Sequence, residues 1–360
     1  MFPIIFDNIV FSLQRTGGIS VVWYELLRRY LKEFPAYAHF IDYDAWNNIF
    51  RKQLELPTDK IIFSDASFFK LKRYLPVHIK SFLPGSFIFH SSYYRICPNK
   101  NAINITTVHD FTYEYFRKGL SRSVHCWQKY KAIRNADYII CISENTKRDL
   151  LKFIPNTDEN KISVIYNGVS EEYFPLVKIN EEELPFPAYS YLIFVGGRSL
   201  YKNFKFAVEA IIHSTLNLVI VGDPLSPEEI IFLKSRLPEK RYKCVGRVNN
   251  QQLNILYNRA FCLFYPSAYE GFGIPVIEAQ KAGCPVIAYA ASSIPEIIGD
   301  KRLLLSHLDI TLAVEYLNRL KEQNFRKQII TTGLKNAFRF SWDNTYQETL
   351  KVYALAQKKK

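Results

Sequence analysis

Two glutamates, Glu270 and Glu278, bracket the stretch "EGFGIPVIE", which holds two glycines and a proline between them. A carboxylate accepts from two neighbouring hydroxyls at once, so each glutamate suits the diol of a sugar or a ribose. Gly271 and Gly273 let backbone approach a ligand closely, and Pro275 sits where a helix would begin, offering unpaired N–H groups to an anion. Two carboxylates beside an anion would repel it, so each must face a group that donates. Earlier in the chain, Arg198 and Lys202 follow the pair Gly196–Gly197 four residues apart, which predicts both on one side of a starting helix. Cations, amides and carboxylates in this combination suit a ligand that carries both phosphate and hydroxyls.

Each feature also has a plain structural reading when taken alone. Glu270 reads as a loop charge, Glu278 as a solvated helix charge, and the basic pair as surface cations. Gly17 and Gly18 could simply end a strand segment, and His109 could be a satisfied structural histidine. Asp110 and Ser143 read as helix caps. Other chemistries lack their residues. Val276 stands where the third glycine of a dinucleotide fingerprint would fall, no His, Glu or Cys cluster has metal-ligand spacing, and no Ser or Cys nucleophile motif occurs. A glycosidase carboxylate pair is conceivable but accounts for neither the Gly-Gly turns nor the basic pair.

The elements that must position these residues alternate between short apolar runs and helical patterns. "PIIFDNIVFS" leads through "QRTGG" to "ISVVWYELLRRYLKEF", where Val22, Leu26, Leu27 and Tyr30 have helical spacing. "NAINITTV", "ADYIICI" and "KISVIYNGV" read as buried parallel strands. The pattern breaks in "SEEYFPLVKINEEELPFPAYS" and resumes with "YLIFVGG", "LNLVIVGD", "YKCVGRV" and "AFCLFYPS". The expected organisation is a doubly wound α/β domain over 1–170, a linker over 171–190, and a second such domain over 191–340. A long amphipathic helix over 341–360 is expected to return to the first domain. Loops at the carboxyl ends of such strands are where open α/β sheets bind ligands.

With 360 residues the chain suits two cores. Its six cysteines are scattered singly in apolar runs and read as reduced core residues of a cytoplasmic protein. No uncharged run approaches the roughly 18 residues of a membrane span, and Asp7 inside the first apolar run argues against a signal peptide. The formal net charge is +13, and between Lys60 and Arg134 thirteen Lys and Arg face three acids. Runs such as "FFKLKRYLPVHIKSFLP", with Lys70, Lys72 and Arg73, read either as solvated surface or as a patch for an anionic membrane face. No nucleic-acid-binding motif accompanies the charge.

The spacing of Glu270 and Glu278 within "EGFGIPVIEAQKAGCPVIAY", followed by "SSIPEIIGD", strongly resembles the family 4 glycosyltransferases, retaining enzymes of the GT-B fold. "TGGIS", "VHD", "CISENTKRDL", "VIYNGV", "FVGGRSLYKN" and "VGRVNNQQLNILY" extend the resemblance over most of the chain in order. It implies two Rossmann-like domains facing across a cleft and a nucleoside-diphosphate sugar as donor, with GDP or UDP as the nucleotide and no cofactor or metal. In this likeness Glu278 meets the ribose, the backbone near Val248 the base, and Arg198 and Lys202 the diphosphate beside Gly197. Glu270, Gly271, Phe272, Gly273 and Ile274 orient the sugar, while Gly17, Gly18 and His109 belong to the acceptor-side domain. The implied activity is transfer of a hexose, mannose by preference, to a glycan or lipid-diphosphate-linked acceptor in bacterial surface polysaccharide assembly. The implied location is cytoplasmic, on the inner face of the membrane. A sugar-nucleotide epimerase of similar fold and a basic nucleic-acid-binding protein are the rival readings.

Overall fold

The computed structural model describes residues 2–43, 47–63, 72–79, 85–178 and 181–358. The chain forms two compact units, Met1–Gly168 with Trp342–Lys360, and Val169–Ser341. Lys70 and most of the basic run around it lie outside the described residues.

The first unit holds seven strands, β1 (Ile4–Asp7), β2 (Ala38–Ile41), β3 (Ile61–Phe63), β4 (Phe87–Ser91), β5 (Ala102–Val108), β6 (Tyr138–Cys141) and β7 (Ile162–Val164). They run parallel in the order β3-β2-β1-β4-β5-β6-β7. Parallel strands covered on both faces need unbroken apolar runs, and β1 and β4 are buried along their whole length. Helices α1 (Ile9–Leu13) and α2 (Gly18–Glu33) follow β1. The buried apolar face of α2 is Trp23, Leu26, Leu27 and Tyr30 at helical spacing; Trp23, not Val22, opens it. The other helices among the described residues are α3 (Thr112–Phe116), α4 (Gly119–Arg134) and α5 (Glu144–Phe153). The C-terminal helix α13 (Trp342–Lys358) adds Tyr346, Val352, Tyr353 and Ala356 to the core of Phe6, Trp23 and Tyr30.

The second unit holds six strands, β8 (Tyr191–Val195), β9 (Asn217–Val221), β10 (Tyr242–Gly246), β11 (Cys262–Tyr265), β12 (Val286–Tyr289) and β13 (Leu304–Leu305), in the order β10-β9-β8-β11-β12-β13. Its helices are α6 (Phe204–Ile212), α7 (Pro227–Arg236), α8 (Asn250–Arg259), α9 (Ile274–Lys281), α10 (Ile294–Ile297), α11 (Ile310–Arg319) and α12 (Gln323–Ala337). In both sheets the first strand lies between its second and a later one, so the winding direction reverses between β1 and β4 and between β8 and β11. Ligands of open α/β sheets sit outside the carboxyl ends of the strands at such a reversal.

The acidic stretch after residue 170 belongs to the second unit and is not a loose connector in its first part. Asn250, Asn254 and Asn258 lie four apart on α8 and form one face. Asn254 accepts from Phe174 N at 3.2 Å, and Asn258 accepts from Leu176 N at 2.7 Å and donates to Phe174 O at 3.0 Å. Five of the six cysteines are buried and all six are free thiols.

Candidate active site

At the carboxyl ends of β8, β9 and β10 stand Gly196, Gly222 and Gly246, all at positive φ. A Cβ on Gly222 would lie 2.6 Å from Gly196 O, so this close approach of backbones needs a bare residue. Beyond Gly196 the chain does not enter a helix at once. Leu200–Lys202 is a 3-10 turn, Asn203 turns left-handed at φ 52°, and α6 begins only at Phe204. The expectation that Arg198 and Lys202 share a helix face is therefore wrong, and the two cations turn to different partners. Arg198 is nearly buried; its Nε donates to Glu229 at 2.8 Å and its Nη2 to the carbonyls of Asp223 and Pro224 at 2.9 and 2.7 Å, leaving Nη1 buried without a partner. Lys202 Nζ donates to Glu270 Oε1 at 2.5 Å, across the reversal between β8 and β11. Two further bonds tie the same loops together, Ala268 N to Tyr201 O at 2.7 Å and Asn203 Nδ2 to Pro266 O at 2.8 Å.

The loop from Glu270 to Gly273 is braced from the "SSIP" segment. Ser292, itself at φ 49°, accepts from Glu270 N at 2.7 Å, and Ser293 Oγ lies within hydrogen-bond reach of Glu270 O and Phe272 O at 3.0 and 2.7 Å. Phe272 is buried edge-on to Phe340. Gly273 stands at φ 104°, and a Cβ there would lie 2.7 Å from Ile294 Cδ1. It caps α9, whose first residues Ile274 and Pro275 open the helix beside Gly271.

Glu278, one helical turn on, is partly buried and has different company. Tyr257 OH donates to its Oε2 at 3.1 Å, and the hydroxyl of Tyr173 reaches both Glu278 and Asn250 Oδ1, the latter at 3.1 Å. Burial pushes the Glu278 carboxyl up to about 7, and the two tyrosine hydroxyls offset part of that rise by donating to the charged form. Val248 is half-buried in the turn between β10 and α8, before the capping box of Asn249 and Gln252. Gly197 is exposed, with open space where a Cβ would stand.

The remaining candidates lie in the first unit. Gly17 caps α2 in extended backbone, and a Cβ there would lie 2.5 Å from Gln14 Oε1; Gly18 meets open space. His109, just past β5, lines a narrow cavity with Trp23, His90, Thr107, Asn167 and Trp342. Burial pushes its imidazole down to about 4, opposed by Asp110 and reinforced by Lys129, so it is neutral near pH 7. Lys129, wholly buried, donates to Asp110 O at 2.8 Å and Glu114 Oε2 at 2.9 Å and fixes the backbone next to His109. Asp110 accepts from Thr112 N at 2.9 Å and Ser143 from Thr146 N at 3.0 Å, both as caps. Arg73 does not project as a free surface cation: its guanidinium rests on the rings of Tyr74 and Tyr93, and its Nε is buried.

Within the second unit the structure thus joins Lys202 to Glu270 and keeps Arg198 and Glu278 in separate networks. The sequence reading missed Ser292, Ser293, Tyr257 and Tyr173 as the groups that hold the two glutamates. Only the asparagine spacing of "NQQLNILYN" signalled that α8 carries a polar face. Among the described residues no group of three or more His, Cys, Asp or Glu is placed to hold a metal ion, and no helix is long and apolar enough to cross a membrane.

A family model for Glycosyltransferase Family 4 matches residues 16–173, and one for Glycosyl transferases group 1 matches residues 178–337. The O-antigen chain mannosyltransferase B of Escherichia coli is 24% identical over 292 residues, 75% of this chain and 74% of the relative. The O-antigen chain mannosyltransferase RfbU of Salmonella typhimurium is 29% identical over 229 residues, 62% of this chain and 59% of the relative. Among solved structures, HepE of Anabaena in complex with UDP and glucose is similar with a TM-score of 0.74 at 16% identity, over 98% of this chain and 100% of its own. Sucrose-phosphate synthase of Thermosynechococcus elongatus is similar with a TM-score of 0.73 at 17% identity, over 100% of both chains. With both halves matched in order and both sheets wound as in these neighbours, the chain belongs to the family 4, group 1 glycosyltransferases and has their GT-B fold.

Proposed function

We propose that this glycosyltransferase moves a hexose, mannose in our reading, from a nucleoside-diphosphate sugar to a glycan or lipid-diphosphate-linked acceptor, with retention at the anomeric carbon, in assembly of a bacterial surface polysaccharide. The observation that carries the reading is the Lys202–Glu270 pair at the reversal between β8 and β11. An ammonium and a carboxylate held together there present one group for a phosphate and one for sugar hydroxyls. The two mannosyltransferase relatives support mannose, and the UDP in the HepE complex supports a nucleotide ligand.

The difficult event is departure of the nucleoside diphosphate. Negative charge grows on the leaving phosphate oxygens, so Lys202 and the amides opening α9 stabilise that state more than the ground state. Arg198 adds its unpartnered Nη1. These groups do the work a divalent ion would otherwise do, and the leaving phosphate takes the acceptor proton on the face it departs from. Glu278 holds the ribose, the backbone near Val248 the base, and Glu270 with Gly271 to Ile274 the sugar.

A thermal-shift panel of GDP- and UDP-sugars tests this, because a ligand at 100 times its Kd stabilises by about 2.7 kcal/mol. Proton NMR of the product then reads the anomeric configuration. No shift with any nucleotide sugar, inversion of configuration, or conversion of the donor without an acceptor would each overturn the reading.

A further inference from the structure

Between Glu114 and Asp137 the chain has no acidic residue and six cations, of which only Lys129 is fully buried. The other five are Arg117, Lys118, Arg122, Lys131 and Arg134, and none of them takes part in an ion pair among the described residues. Charges of one sign on a single helix and its leading turn repel one another; four of the five are exposed and Lys131 is half-buried.

Large apolar side chains share the side of α4 that carries Lys131 and Arg134, whereas Arg122 stands on the opposite side, its Nε donating to Glu114 O at 3.4 Å. Leu120 is 80% exposed, Trp127 53% and Phe116 43%. Leu120 and Trp127 are seven residues apart on α4, so they stand on one side about 10 Å apart along the axis. Lys131 and Arg134 continue the same side, and the Lys131 ammonium lies 5.0 Å over the Trp127 ring. Leu75, 57% exposed, lines a shallow cavity with Trp127 and Lys131, which extends the apolar area beyond the helix. Single exposed apolar residues are ordinary, but a cluster rimmed by like charges is not.

We infer that this outer face of α4, with the turn from Phe116 to Leu120, docks on an anionic lipid bilayer, the aromatic and leucine side chains entering the headgroup region and the cations meeting lipid phosphates. Charge complementarity selects the partner. Lys131 and Arg134 on that side, Arg117 and Lys118 in the leading turn, and no acid between Glu114 and Asp137 fit a negative surface, and Trp127 beneath Lys131 is an apolar body with a charged rim, as the membrane interface requires. The surface differs from the Lys70, Lys72 and Arg73 run that charge counting singles out. It stands independently of the donor site, which belongs to the second unit.

Sedimentation of the full chain with vesicles tests it, comparing pure phosphatidylcholine with mixtures containing about one third phosphatidylglycerol. The wild type should sediment with the anionic vesicles at low salt and leave them at high salt as screening shortens the Debye length. Its tryptophan emission should shift to the blue, and Trp127→Phe should abolish the shift while retaining sedimentation. The pair Lys131→Glu with Arg134→Glu should lower partitioning about fivefold or more per charge, and Leu120→Ser with Trp127→Ser about tenfold or more. Nucleotide-sugar thermal shifts should stay unchanged in all of these variants, which separates loss of docking from loss of fold or of donor binding. Equal binding to neutral and anionic vesicles, no binding, or binding indifferent to these four residues would overturn the assignment. So would dimerisation in solution that the Leu120 and Trp127 changes abolish, or preferential capture by duplex DNA.

Discussion

The two glutamates that sequence inspection treats alike differ in what surrounds them. Glu270 is met by an ammonium and Glu278 by two phenols, so one is poised to exchange a cation for a ligand and the other to change protonation. Lys202→Ala should lower turnover roughly a hundredfold or more, in line with removal of one transition-state charge partner, while calorimetric affinity for the bare nucleoside diphosphate falls less. Turnover within a fewfold of wild type would make the Lys202–Glu270 bond a structural strut. Glu278, raised to about 7, should accept ribose hydroxyls well only once ionised, so nucleotide affinity should climb between pH 6 and 8. Tyr257→Phe should move that midpoint upward, since it removes a donor to the charged form, and Glu278→Gln should flatten the profile. The sign for stability is opposite. A carboxyl raised above its unfolded value of 4.5 contributes fully below that value and loses its contribution as pH rises through 7, on the order of 2 kcal/mol. At this scale residue types and spacing named the candidates, whereas their partners came from chain positions 21 to 105 residues away, which no local pattern encodes.

Among the elements, α8 does two jobs with one polar face. Its asparagines hold the segment after residue 170, and that segment brings Tyr173 to Glu278. Asn254→Ala and Asn258→Ala should each cost about 1 to 3 kcal/mol by leaving backbone N–H groups without an acceptor, read as a drop in the denaturation midpoint with m unchanged. The double variant should also weaken nucleotide binding through Tyr173. Unaltered nucleotide affinity in a folded double variant would show that Tyr173 does not depend on this docking. The strands and helices of both units follow the apolar periodicity of the chain closely, because buried parallel strands need unbroken apolar runs. Where the reading failed, a single backbone choice was responsible. Asn203 in the left-handed region delays α6 past Lys202, and propensity does not announce that turn, since the bonds that favour it run to Pro266.

Across the whole molecule the titration of buried groups is unevenly divided. His90 and His125 are pushed down by burial to about 3, and His109 to about 4, all three in the first unit. A histidine depressed below its unfolded value of 6.5 favours the folded state at neutral pH and withdraws that support as pH falls from 6.5 toward its folded value. Each adds up to about 1.4 kcal/mol per pH unit to the slope in that window. Asp7, raised by burial, works in the opposite sense in the same unit. Acidification from pH 6.5 to 4.5 should therefore unfold the first unit ahead of the second, followed by the fluorescence of Trp23, which belongs to the first unit's core. Coincident loss of both units, or loss of the second first, would contradict this. Composition, apolar period and the ordered motifs determined by themselves the α/β class, the two sheets and the family, and named the glutamates and cations as candidates, because these depend on residues close in the chain. Only the tertiary structure decided that Tyr353 closes the core of the first unit and bonds His90, that Lys202 rather than Arg198 meets Glu270, and that burial raises the Glu278 carboxyl while Tyr173 and Tyr257 offset part of the rise. Those outcomes depend on which surfaces exclude water together, a property of packing between distant segments that no window of sequence contains.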